Sequence, residues 1–151
     1  MAMKTTNGRE SDLPDDLVSA YRKTCYHAPQ TPVGRIECLV DTPNPALDAL
    51  LAESGASSAG FITADNPFGL VLPASKNRNR HLELTELVQL NGWTHYPGLG
   101  GDADQADWPA EQSLLVIGIS RHELTGLGLY FQQNAVVYAE RGRAGELLLL
   151  R

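Results

Sequence analysis

Between residues 36 and 63 the chain changes its hydrophobic period twice, and that change restricts the fold more than any other feature. Ile36, Cys38 and Val40 alternate with Glu37 and Leu39, the two-residue period of a strand. Asn44-Pro45 follows: a capping side chain, then a proline at the first helical position, where a missing N–H costs nothing. Leu47, Leu50, Leu51 and Ser54 make one helical face, and Gly55 supplies the stop. Ser58–Thr63 reads as a second strand, ended by Asn66-Pro67. Strand, helix, strand in this order predicts an α/β fold, with α+β as the alternative.

The remaining segments extend the pattern. Pro14 opens a helix carrying Leu17, Ala20, Tyr21 and Thr24. A longer helix runs from about Ser75 to Asn91, with Leu84, Leu87 and Val88 on one side. Trp93–Tyr96 reads as a short strand closed by Pro97-Gly98, before a loop rich in glycine and aspartate that reaches Trp108. Leu114–Ile119 is apolar throughout, as a buried strand should be. Ser120 and Glu123 fit a capping box, although Gly126 and Gly128 each weaken the helix behind it by ~1 kcal/mol relative to alanine. Ala135–Ala139 and Glu146–Leu150 form a hairpin around Arg141-Gly142-Arg143. The expectation is a single domain over residues 13–151: a mixed sheet of about six strands, helices packed on it, and a C-terminal antiparallel hairpin. The polar stretch up to Asp12 reads as a disordered tail.

Composition removes several function classes. A net charge of −6 and a sequence pI of about 5.1 argue against general affinity for nucleic acid. No apolar run approaches the ~20 residues of a membrane span, and the N-terminus lacks a signal-peptide core, so a cytoplasmic protein is expected. Cys25 and Cys38 read as small apolar side chains, and neither they nor the four histidines show metal spacing. The glycines at 98, 100 and 101 lack a phosphate loop's Gly-Lys-Ser/Thr, and Asp102, Asp104 and Asp107 fail the EF-hand spacing. No metal and no cofactor is expected.

Right-handed crossovers make the first three strands parallel and gather their C-terminal ends, where open α/β sheets bind ligands. Thr63 and Asn66 lie at that end, and the next helix begins there with Lys76, Asn77, Arg78 and Arg80. If the chain returns directly after Tyr96, the fourth strand is antiparallel and brings in Trp108, Glu111 and Ser113; the following helix then delivers Gln133 and Asn134. Cations crowding a helix start are disfavoured by the macrodipole, and a bound anion would reverse that sign. Either Lys76 and Arg80 hold an anion, or they are a solvated turn. Glu111, sheltered by Trp108, is either an acid/base group with a raised pKa or a structural partner of Arg80. Asn66, Asn77, Gln133 and Asn134 either satisfy turns or converge on a ligand, with Tyr96 and Trp108 as a stacking wall.

Phe61-Ile62-Thr63-Ala64-Asp65-Asn66-Pro67, then Asn77 and Arg80, Gly98, Trp108 and Glu111-Gln112-Ser113, and finally Phe131-Gln132-Gln133-Asn134-Ala135-Val136-Val137-Tyr138 resemble a bacterial family known as domain of unknown function 3293. The resemblance runs from about Leu17 to Tyr138. It implies a small stand-alone bacterial protein and brings no activity, cofactor or catalytic residue. The residues themselves point to a small anionic or nucleotide-like ligand at one sheet end, with or without acid/base turnover. The alternative is a non-enzymatic module that docks a protein there.

Overall fold

The computed structural model describes residues 3–100 and 111–151. Its elements are α1 (Asp15–Lys23), β1 (Tyr26–Ala28), β2 (Ile36–Cys38), α2 (Pro45–Ser54), β3 (Ser58–Thr63), α3 (Ala74–Leu90), β4 (Thr94–Gly100), β5 (Glu111–Ile117), α4 (Arg121–Tyr130), β6 (Ala135–Glu140) and β7 (Glu146–Leu149). The seven strands form one sheet in the order β2-β1-β4-β5-β3-β6-β7. The α/β class and the C-terminal hairpin stand as expected.

Every strand pairs antiparallel with its neighbours, where three parallel strands side by side were expected. β2, β3 and β4 do point the same way, yet none neighbours another. β1 lies between β2 and β4, and β5 between β4 and β3, each pairing antiparallel. Two local facts produce this. β1 forms a hairpin with β2, and three residues, Tyr26-His27-Ala28, are too few to show a period. β5 returns directly beside β4, with Gly100 opposite Glu111. β4 also runs past the expected stop, through Pro97 and Gly98. It pairs with β1 only at Leu99 and Gly100, so Pro97 has a single strand neighbour there and its missing N–H is tolerated.

Two apolar layers form because alternate residues of each strand face opposite sides. One face buries Ile36, Cys38, Phe61, Leu115 and Val137 against Leu47, Leu50 and Leu51 of α2. The other buries Ile62, Leu114 and Val116 against Leu84 and Val88 of α3 and Leu124 of α4. Each such fully buried leucine contributes ~2 kcal/mol. The sheet curls around the first face until its two edges touch. Val40, just beyond β2, bridges Gly145, just before β7, and the Asp41 N–H donates to the Gly145 carbonyl at 2.8 Å.

Local signals behave as the chemistry requires. Asn44 Oδ1 accepts from the Leu47 N–H at 3.1 Å, and Gly55 closes α2 in the left-handed conformation. Both halves of the Ser120–Glu123 capping box are made. Gly128, unfavourable by propensity, sits where a β-carbon would lie 2.6 Å from a Leu150 methyl and 2.9 Å from one of Val136. Close packing of α4 on β6 therefore outweighs its helix cost. The N-terminal stretch, expected to fray, is held from Met3 onward: the Thr6 N–H donates to the Leu149 carbonyl at 3.0 Å, and Ser11 Oγ to the Arg151 carbonyl at 2.5 Å. Among the described residues no helix is long and apolar enough to cross a membrane.

Candidate functional site

A cavity of about 230 Å³ opens on the inner face of the curled sheet, at the C-terminal end of β3. Its wall comes from Phe61 and Thr63 of β3, Glu111 and Ser113 of β5, and Ala135 and Val137 of β6. Tyr26 of β1 adds a second ring, 6.2 Å from that of Phe61 and tilted by 39°. α1 crosses above, contributing Tyr21 and its C-cap Thr24, while Asn66, Gly69 and Val71 form the rim. Gln133 and Asn134 close the side where α4 turns into β6.

The rim is fixed by Asn66. Its backbone is left-handed at φ 51°, a conformation asparagine tolerates better than most residues. Its Oδ1 accepts from the Leu72 N–H at 3.0 Å and from Asn77 Nδ2 at 2.8 Å, and its own N–H donates to Asn77 Oδ1 at 3.0 Å. Nδ2 is left to reach Glu111 Oε2 at 3.1 Å. Asn77 thus acts behind Asn66, tying α3 to the rim. Asn134 has a comparable double role: its Nδ2 donates to the Tyr21 hydroxyl at 3.1 Å and its Oδ1 accepts from Arg151 at 3.2 Å.

Glu111 is half-buried, and burial pushes its carboxyl up to about 7, with the nearby Asp65 charge adding to the rise and the Asn66 amide opposing it. Among the described residues it forms no ion pair. Ser113 is 4% exposed, lines the cavity, and its Oγ has no hydrogen-bond partner among the described residues. Gly98 lies directly across from it; a β-carbon there would come within 2.9 Å of that oxygen.

Several expected ligand residues have other duties. Arg80 does not line the cavity. Its Nε donates to the Ala64 carbonyl at 2.6 Å and its Nη2 to the Phe131 carbonyl. Carbonyls such as these, Ala64 just past β3 and Phe131 at the C-cap of α4, lie beyond the strand ladders and need donors. Gln133 lines the cavity but also serves them, donating to Asp65 and Phe131 carbonyls at 3.1 and 3.2 Å. Thr63 Oγ1 donates to the Gln112 carbonyl at 2.5 Å. Lys76 and Arg78 are exposed on the first turns of α3, away from the cavity. The anion cluster inferred from this basic run is therefore not assembled. Tyr96 packs into the same inner layer but does not reach the cavity lining. Trp108, with Asp102, Asp104 and Asp107, lies outside the described residues.

Sequence reasoning missed Tyr21 and Tyr26, and placed Ser113 at this sheet end without giving it a role. Tyr21 was legible as a helix residue, but its position over the sheet was not. Ser113 had a usable signal: it is the one polar residue adjoining the apolar run of β5. Behind the rim, Asp65 accepts from the Gln112 N–H at 3.1 Å, yet among the described residues its Oδ1 is buried without a partner, as is His81 Nδ1. Burial raises the Asp65 carboxyl and lowers the His81 imidazole, while the charge of each partly offsets the other's shift.

Residues 62–136 match the model of a family described as a protein of unknown function, DUF3293. Over this segment the chain resembles that family. The DUF3293 segment contains Thr63, Asn66, Arg80, Glu111, Ser113, Gln133 and Asn134, while Tyr21 and Tyr26 fall before it. It is shorter than the stretch from about Leu17 to Tyr138 that carries the resemblance. No curated protein and no solved structure matches the chain.

Proposed function

We propose that this chain binds a small, mainly apolar molecule in the cavity above β3 and β5, with Glu111 as the group that gives or takes a proton. What carries the reading is the buried Ser113 Oγ, which lines a largely apolar cavity and has no partner among the described residues. Unsatisfied buried hydroxyls cost ~1–3 kcal/mol, so a ligand group bonding Ser113 would recover a standing loss. Size sets the scale: a cavity of ~150 Å³ holds benzene, so about 230 Å³ suits a ligand of about ten non-hydrogen atoms. A carboxyl near 7 exists in both protonation states at neutral pH and is suited to acid/base work or to a switchable hydrogen bond.

An anionic ligand fits poorly. Among the described residues, the lining holds a carboxylate and no lysine or arginine. The alternative of a docked protein draws on Leu70 and on Val71 of the rim itself, exposed at 64% and 81%. Two adjacent side chains on a loop are far smaller than the ~800 Å² a stable interface buries on each partner.

The test is a thermal-shift screen with small uncharged aromatic and aliphatic compounds, followed by amide chemical-shift mapping of any hit. The expected result is a raised melting temperature, with perturbations centred on Phe61, Thr63, Ser113 and Val137. Perturbations confined to the exposed Leu70–Val71 loop would support docking instead. A screen with no stabilising compound would count against the cavity as a binding site.

A further inference from the structure

The charge and the ring geometry of the cavity say more about its occupant than its size does. Glu111 is the only charged side chain lining it among the described residues, and the sequence from 101 to 110 contains no basic residue. Among the described residues only one of its carboxyl oxygens has a donor, the Asn66 amide. Ser113 Oγ offers lone pairs from the same strand two residues away, and register places both side chains on the same face of β5. Tyr21, Tyr26 and Phe61 surround this polar corner with aromatic surface. A carboxylate set among aromatic rings, with a free hydroxyl acceptor and no cation, is complementary to an organic ammonium ion: the carboxylate supplies the counter-charge and the rings attract the cation through their quadrupoles.

Resting on the reading of the cavity as a ligand site, we propose that its ligand is a small organic amine, bound as its ammonium ion between Glu111 and Ser113 with its apolar body against Phe61, Tyr26 and Val137. No bond is made or broken. An ammonium ion here would bring Glu111 its missing partner and favour the ionised carboxylate. Binding by a protonated amine therefore releases a proton from Glu111 wherever the free protein holds one, and affinity rises with pH through about 7 until the amine itself deprotonates.

Three probes of nearly equal shape separate the possibilities: benzylamine, benzyl alcohol and benzoate, titrated calorimetrically into the full chain at about pH 6 and about pH 8, on either side of the Glu111 value. The expected order is amine over alcohol by about tenfold or more, with benzoate weakest, and amine affinity several-fold higher at the upper pH. Glu111→Gln should bring amine affinity down to that of the alcohol and abolish its pH dependence. Ser113→Ala should weaken the amine several-fold with no loss of melting temperature, because it removes a hydroxyl that is unpaired among the described residues. Alcohol equal to amine, or benzoate tightest, would overturn the amine assignment and leave the cavity reading standing. Binding of none of the three, nor of toluene, would overturn the cavity reading itself.

Discussion

Replacing Glu111 with glutamine tests whether the sheet end holds a carboxyl at the cost of stability. The isostere keeps an oxygen for the Asn66 amide and removes the charge. In the unfolded chain this carboxyl ionises near its ordinary 4.5, whereas burial in the fold raises it to about 7. Between those values the folded chain holds a proton that the unfolded chain has released. The resulting contribution to stability is fully present below about pH 4.5 and is lost as pH rises through about 7. The difference between 4.5 and about 7 corresponds to ~3 kcal/mol, an upper figure because the side chain is only half-buried. The variant should therefore gain on the wild type by up to ~3 kcal/mol between about pH 4 and about pH 8, or ~6–10 °C in melting temperature for a chain of this size. Urea denaturation of both proteins at the two pH values measures it, with equal m-values showing that the same transition is compared. Working with the difference between proteins cancels most of the contributions of Asp65, His81 and other titrating groups. Parallel pH profiles for wild type and variant would refute the reasoning, for they would mean that Glu111 ionises in the fold as it does in water.

Arg80→Leu should destabilise by ~3 kcal/mol in urea denaturation, because it strips donors from the Ala64 and Phe131 carbonyls; Arg80→Lys should restore only part, since one ammonium cannot span both as a guanidinium does. Gly128→Val should cost ~2 kcal/mol by driving atoms into Leu150 and Val136, while Gly126→Ala, which faces open space on the same helix, should gain ~0.5–1 kcal/mol in thermal melts. Asn44→Ala should lower stability by ~1–2 kcal/mol, because that one side chain caps α2 and also donates to the Glu37 carbonyl at 2.9 Å.

Elements whose stabilisation is local were readable from the sequence. Asn44-Pro45 and Gly55 bound α2, and Ser120 with Glu123 start α4, because capping is chemistry between residues a few positions apart. The meeting of Thr63, Asn66, Glu111 and Asn134 was also legible, since it needed only strand directions, and a direct β4–β5 return settled those. Side-chain allegiance was not legible. Nothing in the run Lys76-Asn77-Arg78-Asn79-Arg80 shows that the last guanidinium is claimed by two carbonyls, one of them 51 positions away. For the same reason Tyr21 and Tyr26 escaped notice: a residue enters a cavity through the packing of its element, and α1 reaches the sheet through long-range contacts that no local period encodes.

The contact between Val40 and Gly145 has a consequence for solubility. An edge strand normally carries a row of unsatisfied amides and carbonyls, and another chain can add to it as a further strand. Here the outermost strands come together at one point, and the segment carrying Thr6 bonds to β7 further along at the Leu149 carbonyl. A template for fibrillar stacking is thereby shortened on both sides at once. Gly145→Leu, which would force a side chain against Cys38 Sγ at 3.2 Å, should pry the rims apart and make the protein prone to aggregate at temperatures where it is still folded.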